Sequence, residues 1–383
     1  MLLLTIIYAA FISLGLPDSL LGSAWPAICE SLGVPVSWGG FISMICCAGT
    51  VISSLSSERV IGRLGTGKTV FLSTFLTAIT LLAWSFTGSY WVLCLMALPL
   101  GLGAGSIDVA LNNYVALHYK ARHMSWLHCF WGIGATIGPM IMAGFLKEGR
   151  WQMGYRTVSL IQLALTLVLF LSMGLWKNKD SDPDAPASCG ITEDGFGNRL
   201  TLALASLSFF LYCTAESTLS MWTSSYAISM LGFDKSQAAL LASCFFFGIA
   251  GGRLLSGFLT FKIKSETLIV LGLCLISSAL LMLVLGWAFP AVIGLGLGCA
   301  PIYPSMIMET PVRFGSRKSR RAIGLQMASA YVGSTFMPTL AGVISQRTSF
   351  RFIYIAVLAC TLLMLASTLA IKAQKPRGLS GKR

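Results

Sequence analysis

Lys177-Asn-Lys-Asp-Ser-Asp-Pro-Asp-Ala-Pro-Ala-Ser-Cys-Gly-Ile-Thr-Glu-Asp-Gly-Phe-Gly-Asn-Arg199 is the longest polar stretch in the chain. Its prolines, glycines and acids read as a solvated linker. Outward from it, the sequence is a succession of apolar runs. A helix crossing about 30 Å of hydrocarbon needs about 20 mostly apolar residues. Six such runs precede the linker: Leu2–Ile28, Ser37–Ser57, Thr69–Phe86, Trp91–Ala116, Met124–Leu146 and Val158–Trp176. Six follow it: Leu200–Tyr226, Ala238–Leu259, Leu268–Trp287, Ala291–Met308, Ala322–Ile344 and Phe350–Ile371. Long uniform runs predict helices rather than barrel strands. The expected organisation is an all-α integral membrane protein. Residues 1–176 form an N-terminal six-helix bundle, 177–199 a cytoplasmic linker, 200–371 a C-terminal six-helix bundle, and 372–383 a short basic tail.

Composition narrows the function. Of 383 residues, 55% are hydrophobic and 11% charged, with a mean hydropathy of +0.78. About 25% charged residues is usual for a soluble domain, so a soluble enzyme is excluded. The net charge of +13 is unevenly placed. With the N-terminus inside, 21 of the 27 Lys and Arg residues fall on cytoplasmic loops, as the positive-inside rule requires. The charge therefore marks a membrane face in contact with lipid, and no nucleic-acid partner is expected. The apolar start continues without a cleavage site, so no removable signal peptide is expected. The cysteines lie mostly inside apolar runs, as free thiols. His118, His123 and His128 recur at a spacing of five, wrong for one helix face, so no metal site is expected, nor any cofactor. His118 and His123 read as loop residues.

The halves echo each other. At an offset of 199, Leu32-Gly33 meets Leu231-Gly232, Gly49 meets Gly248, Gly134 meets Gly333 and Pro139 meets Pro338. At an offset of 193, Gly101, Gly103 and Gly105 meet Gly294, Gly296 and Gly298. Paired six-helix repeats are the build of secondary transporters that rock around a midplane site.

Several motifs carry a family resemblance. They are Gly15-Leu-Pro-Asp18-Ser, Gly101-x-Gly-x-Gly-x-x-Asp108-x-x-x-Asn112, His128-x-x-x-Gly-x-Gly-x-x-x-Gly-Pro139, Gly252-Arg253-Leu-Leu-Ser-Gly257 and Glu309-Thr-Pro-x-Arg-Phe-Gly315. The chain resembles the major facilitator superfamily and, within it, the fucose–galactose–glucose:proton symporters. The resemblance implies 12 transmembrane helices in two pseudo-symmetric halves. It also implies coupling roles for the span-four acid with its Asn one turn on, and for the acid of span one. The superfamily's signature between spans two and three is degenerate here: Glu58-Arg-Val-Ile-Gly-Arg63-Leu-Gly65 keeps the Arg and Gly but not the acidic–basic order.

Four acids fall within apolar spans: Asp18, Asp108, Glu216 and Glu309. A carboxylate in the bilayer core costs about 2.5–3.5 kcal/mol or more. Low dielectric favours the neutral acid, so such a group can load a proton on one side and release it on the other. The alternative for each acid is a structural hydrogen bond between helices. Asp108 and Asn112, one turn apart, share a helix face. Glu216 lies one residue from the repeat mate of Asp18. Substrate or proton binding is expected of Asp18, Asp108, Asn112, His128, Glu216, Trp222, Gln162 and Gln326. Trp25, Trp126, Trp131, Tyr226 and Tyr331 are further stacking candidates. Arg253 and Glu309 are expected to pair as a gate, with Arg63 beside it. The expected function is proton-coupled symport of a sugar or similar polar solute by a monomer in a bacterial-type inner membrane, both termini cytoplasmic. The alternative is drug–proton antiport. Gly134-x-x-x-Gly138-Pro139 fits that class, but Met142-Ala143 stands where its Gly pair belongs. A receptor would need a signalling domain, and an enzyme a nucleophile–base pair that no spacing provides.

Overall fold

The computed structural model describes residues 2–119, 121–176, 197–260 and 262–374. The expected linker and basic tail lie largely outside these residues. All the regular structure described is helical, and 12 helical stretches are long and apolar enough to cross a membrane. Spans 1 to 6 are Leu2–Leu32, Trp38–Ser56, Thr66–Trp84, Tyr90–Asn112, Trp126–Leu146 and Trp151–Leu171. Spans 7 to 12 are Arg199–Leu231, Lys235–Leu259, Ser265–Val284, Ala288–Thr310, Leu325–Arg347 and Arg351–Ala373. Span ends shift by a few residues from the sequence reading. Span 6 begins earlier, at Trp151, whose buried indole N–H donates to Ser31 Oγ at 2.9 Å. His118 and His123 lie in helices, because the helices of spans 4 and 5 extend to His118 and from Ala121.

Span 1 is interrupted midway. One helix covers Leu2–Asp18 and the next Leu20–Leu32, with Pro17 at the break. Proline has no N–H to give the carbonyl four residues back, here that of Ser13. Gln162 of span 6 supplies the donor: its Nε2 lies 2.8 Å from Ser13 O. The same substitution occurs in span 11. There Pro338 leaves the Ser334 carbonyl without its helical donor, and the Cys47 thiol of span 2 faces it at 4.0 Å.

Close helix crossings rest on small residues. A methyl group at Gly134 of span 5 would strike the Ile12 carbonyl of span 1, and one at Gly333 of span 11 the Phe210 carbonyl of span 7. These contacts are related by the repeat. The crossings also correct the register read from the Gly-rich spans. Gly101 faces Cys46 as Gly296 faces Phe245, and Gly103 faces Thr77 as Gly298 faces Ile276. The partners differ by 199 and the glycines by 195, not 193, so Gly101 matches Gly296.

Spans 1 to 6 pack chiefly among themselves, as do 7 to 12, and the two sets meet chiefly along two seams, with the second helix of span 1 also packed on spans 7 and 8. Spans 5 and 8 are joined by Ser236 Oγ to Ala143 O at 2.9 Å, Ser243 Oγ to Thr136 O at 2.8 Å, and Cys129 Sγ facing Ala250 O. The contacts recur every seven residues on both helices, the seam period of a coiled coil. Spans 2 and 11 are joined by Ser37 N to Gln346 Oε1 and Thr339 Oγ1 to Gly40 O. Lys235 Nζ meets Glu30 at 2.7 Å beyond them. These bonds lie towards the end of the bundle away from Leu2. The site lies at the inner limit of the seams, in the portion nearer Leu2.

Candidate functional site

Asp18 stands at the break in span 1, at mid-depth. It is solvent-exposed, and its neighbours come from spans 2, 4 and 5, which sets it on the inner side of its half. Its Oδ2 accepts the indole N–H of Trp131, in span 5, at 2.8 Å. Asp108 of span 4 and Cys46 and Cys47 of span 2 lie close enough to feel its charge. Asn112 Nδ2 donates to Asp108 Oδ1 at 2.8 Å across one helical turn, as their spacing predicts. Asn112 Oδ1 is buried with no partner among the described residues. It is an acceptor left over beside an acid.

The other half contributes Glu216 and Arg253. The Arg253 guanidinium lies 3.7 Å from Glu216 Oε1, and its carbon sits 4.8 Å from the centre of the Trp131 ring, within cation–π range. Its charge also reaches Asp108 and His128. His128 is half-buried and meets Phe11 edge-on, centroids 5.9 Å apart. One connected path therefore runs Asp18–Trp131–Arg253–Glu216, with Asp108, Asn112 and His128 beside it.

Three expected site residues lie elsewhere. Gln162 is fully buried and tied to Ser13 O and to Thr77 Oγ1 at 3.0 Å. Gln326 is fully buried, with its Oε1 accepting from Thr310 Oγ1 at 2.8 Å. Trp222 is fully buried and donates to Pro338 O at 2.7 Å, as Trp25 donates to Val36 O at 2.5 Å. Gln162 and Trp222 each fill the demand of a backbone carbonyl inside the bundle, whereas Gln326 Nε2 is buried with no partner among the described residues. The expected Arg253–Glu309 pair is not formed. Arg253 turns to Glu216, and Glu309 lies 4.0 Å from Arg313, one helical turn along. Arg313 sits outside the spans, buried, and burial lowers its pKa. Arg63 is exposed near the end of its helix.

Sequence reasoning did not single out Trp131 as the residue joining the halves. It stood among many membrane tryptophans, most of which anchor at interfaces. Tyr212 was also missed. It precedes Glu216 by one turn and donates its hydroxyl to Cys299 O at 3.1 Å. That i, i+4 spacing to an intramembrane acid was the available signal.

A family model, that of the Major Facilitator Superfamily, matches residues 7–319. The chain belongs to the Major Facilitator Superfamily. It is 25% identical to the glucose/mannose transporter GlcP of Bacillus subtilis, over 70% of this chain and 69% of that one. It is 26% identical to "Bypass of stop codon protein 6" of Saccharomyces cerevisiae, over 90% of this chain and 77% of that one. The fold matches the crystal structure of a D-xylose–proton symporter with a TM-score of 0.70 at 12% identity, covering 99% and 98% of the two chains. A bacterial homologue of the human lysosomal transporter Spinster, inward-facing and occupied, matches with a TM-score of 0.69 at 12% identity, covering 97% and 96%. As a superfamily member with twelve apolar spans, the chain is a multi-pass membrane transporter.

Proposed function

We propose that this transporter is a proton-coupled symporter of a sugar or similar polar solute, working by alternating access. One observation carries the reading. Carboxyl groups from both halves converge at mid-depth on an interior face, joined through Trp131 and Arg253. Intramembrane acids linked through one polar path are what a proton-coupled carrier requires. Asp18, Asp108 and Glu216 are the proton candidates. Asn112, with an unspent amide oxygen, suits a solute hydroxyl, and His128 stands beside it. The naming of one relative as a glucose/mannose transporter supports a sugar. Both termini and the linker lie on the cytoplasmic side in this reading, since that orientation puts the basic loops inside. The membrane is a bacterial-type inner membrane, and the working unit is a monomer of two bundles, 1–176 and 200–371. Arg253 serves as a gating residue paired with Glu216, and the exposed Arg63 contributes at the cytoplasmic end of its own helix.

The test is purified protein in proteoliposomes under an imposed pH gradient, screened with labelled hexoses, deoxyhexoses and cationic dyes. Uphill sugar uptake abolished by a protonophore is the expected result. Dye extrusion without sugar uptake would replace this reading with drug–proton antiport.

A further inference from the structure

Trp131 makes two contacts of different kinds in two different halves. Its indole N–H donates to Asp18, a partner in its own half. Its ring face carries the guanidinium of Arg253, from the other half. The Asp18–Trp131 and Arg253–Glu216 contacts each lie within one half, so rocking of the halves leaves them intact. Rocking must change the Trp131–Arg253 contact, which sits at the inner end of the span 5–span 8 seam, beside Cys129 and Ala250. We propose that Trp131 is a positioning residue that conveys the charge state of Asp18 across the boundary between the halves to Arg253.

The physics is direct. A ring's face attracts a cation through its electron density. An anion accepting the indole N–H pushes density into the ring, and a charge-assisted hydrogen bond is roughly twice as strong as a neutral one. When Asp18 takes a proton, the N–H loses its anionic acceptor and the ring face holds Arg253 less tightly. Arg253 then shifts its weight towards Glu216, and the contact between the halves loosens. Other titratable or charged groups face this path. Asp108 approaches from span 4, Cys46 and Cys47 from span 2, Glu216 from span 7 and His128 from span 5. None of these donates to or sits on the Trp131 ring among the contacts described. Phe246 of span 8 meets it edge-on, with centroids 6.3 Å apart.

The relay rests on the proton-coupled reading, and its test separates the two. The full-length protein is labelled with ¹⁵N-indole tryptophan in detergent, and the Trp131 N–H resonance is assigned by its loss in Trp131→Phe, or in Trp131→Tyr should the first variant not fold. The resonance is expected to titrate with pH, to stop titrating in Asp18→Asn, and to titrate with an altered midpoint in Arg253→Gln. A resonance insensitive to pH, one unchanged in Asp18→Asn, or one unchanged in Arg253→Gln overturns the relay. In proteoliposomes, Trp131→Phe keeps the ring face and loses the donor. Its pH-driven accumulation of labelled D-glucose should fall about tenfold, the worth of a hydrogen bond to a charged group. Wild-type accumulation in Trp131→Phe overturns the relay and leaves symport standing. A titrating resonance in a protein that accumulates no hexose leaves the relay standing and overturns the sugar-symport reading.

Discussion

Gln162→Leu separates a solute contact from a structural lock. In the structure, Gln162 Nε2 replaces the donor that Pro17 denies to Ser13 O, and its Oε1 accepts from Thr77 Oγ1. Leucine conserves bulk and removes both bonds. The Ser13 carbonyl then stays buried without its donor, at a cost of about 1–3 kcal/mol. Thr77 loses less, because its hydroxyl also reaches Thr74 O at 2.9 Å, and single interhelical bonds in membranes average about 0.6 kcal/mol. The total is about 2 kcal/mol of destabilisation, measured by unfolding in mixed micelles with increasing denaturing detergent. Solute KM should be unchanged. Pro17→Ala restores an amide hydrogen for Ser13 O, so Gln162→Leu should cost about 1 kcal/mol less in that background. Unaltered stability with lost solute affinity, or strict additivity of the two substitutions, would refute the reasoning and return Gln162 to the site.

Other perturbations test neighbouring claims. Gly134→Val drives a side chain into the Ile12 backbone and should prevent recovery of folded protein, scored by gel-filtration yield. Glu30→Gln breaks the cross-half bridge to Lys235, whose partners are substantially exposed. It should cost under about 1 kcal/mol of stability yet open the end away from the termini, seen as faster alkylation of Cys29 by an impermeant reagent, with wild-type behaviour restored in Glu30→Lys with Lys235→Glu. Asp108→Asn should abolish accumulation against a gradient while sparing exchange of labelled solute. Trp222→Phe removes the bond to Pro338 O and should lower stability by about 1 kcal/mol with transport unchanged.

The fold was legible because a bilayer imposes a coarse demand. Twelve apolar runs and alternating basic loops can be read without knowing any contact, and the structure returns the same spans. The repeat was legible at Gly134 and Gly333, where both glycines permit the same crossing. It failed by two residues in the Gly-rich spans, since glycines spaced every second position match themselves at several offsets. The acids were legible because an ionisable group in hydrocarbon is expensive wherever it points. Their partners were not. Asp18 and Trp131 are separated by 113 positions, and nothing local reports that they meet. Gln162 was hard to place for a related reason. A buried amide looks the same in sequence whether it serves a solute or a carbonyl orphaned by a distant proline. Arg253 was paired with Glu309 on helix ends alone, whereas Glu216 lies one helix nearer in the chain and at the same depth.

The central claim is that solute movement carries protons through Asp18 and Asp108. Charge displacement on a solid-supported membrane measures this most directly. A concentration jump of the transported sugar should evoke positive charge movement with the sugar in the wild type, and Asp18→Asn and Asp108→Asn should retain sugar binding but evoke none. Sugar-evoked charge of wild-type size in both variants would contradict the account.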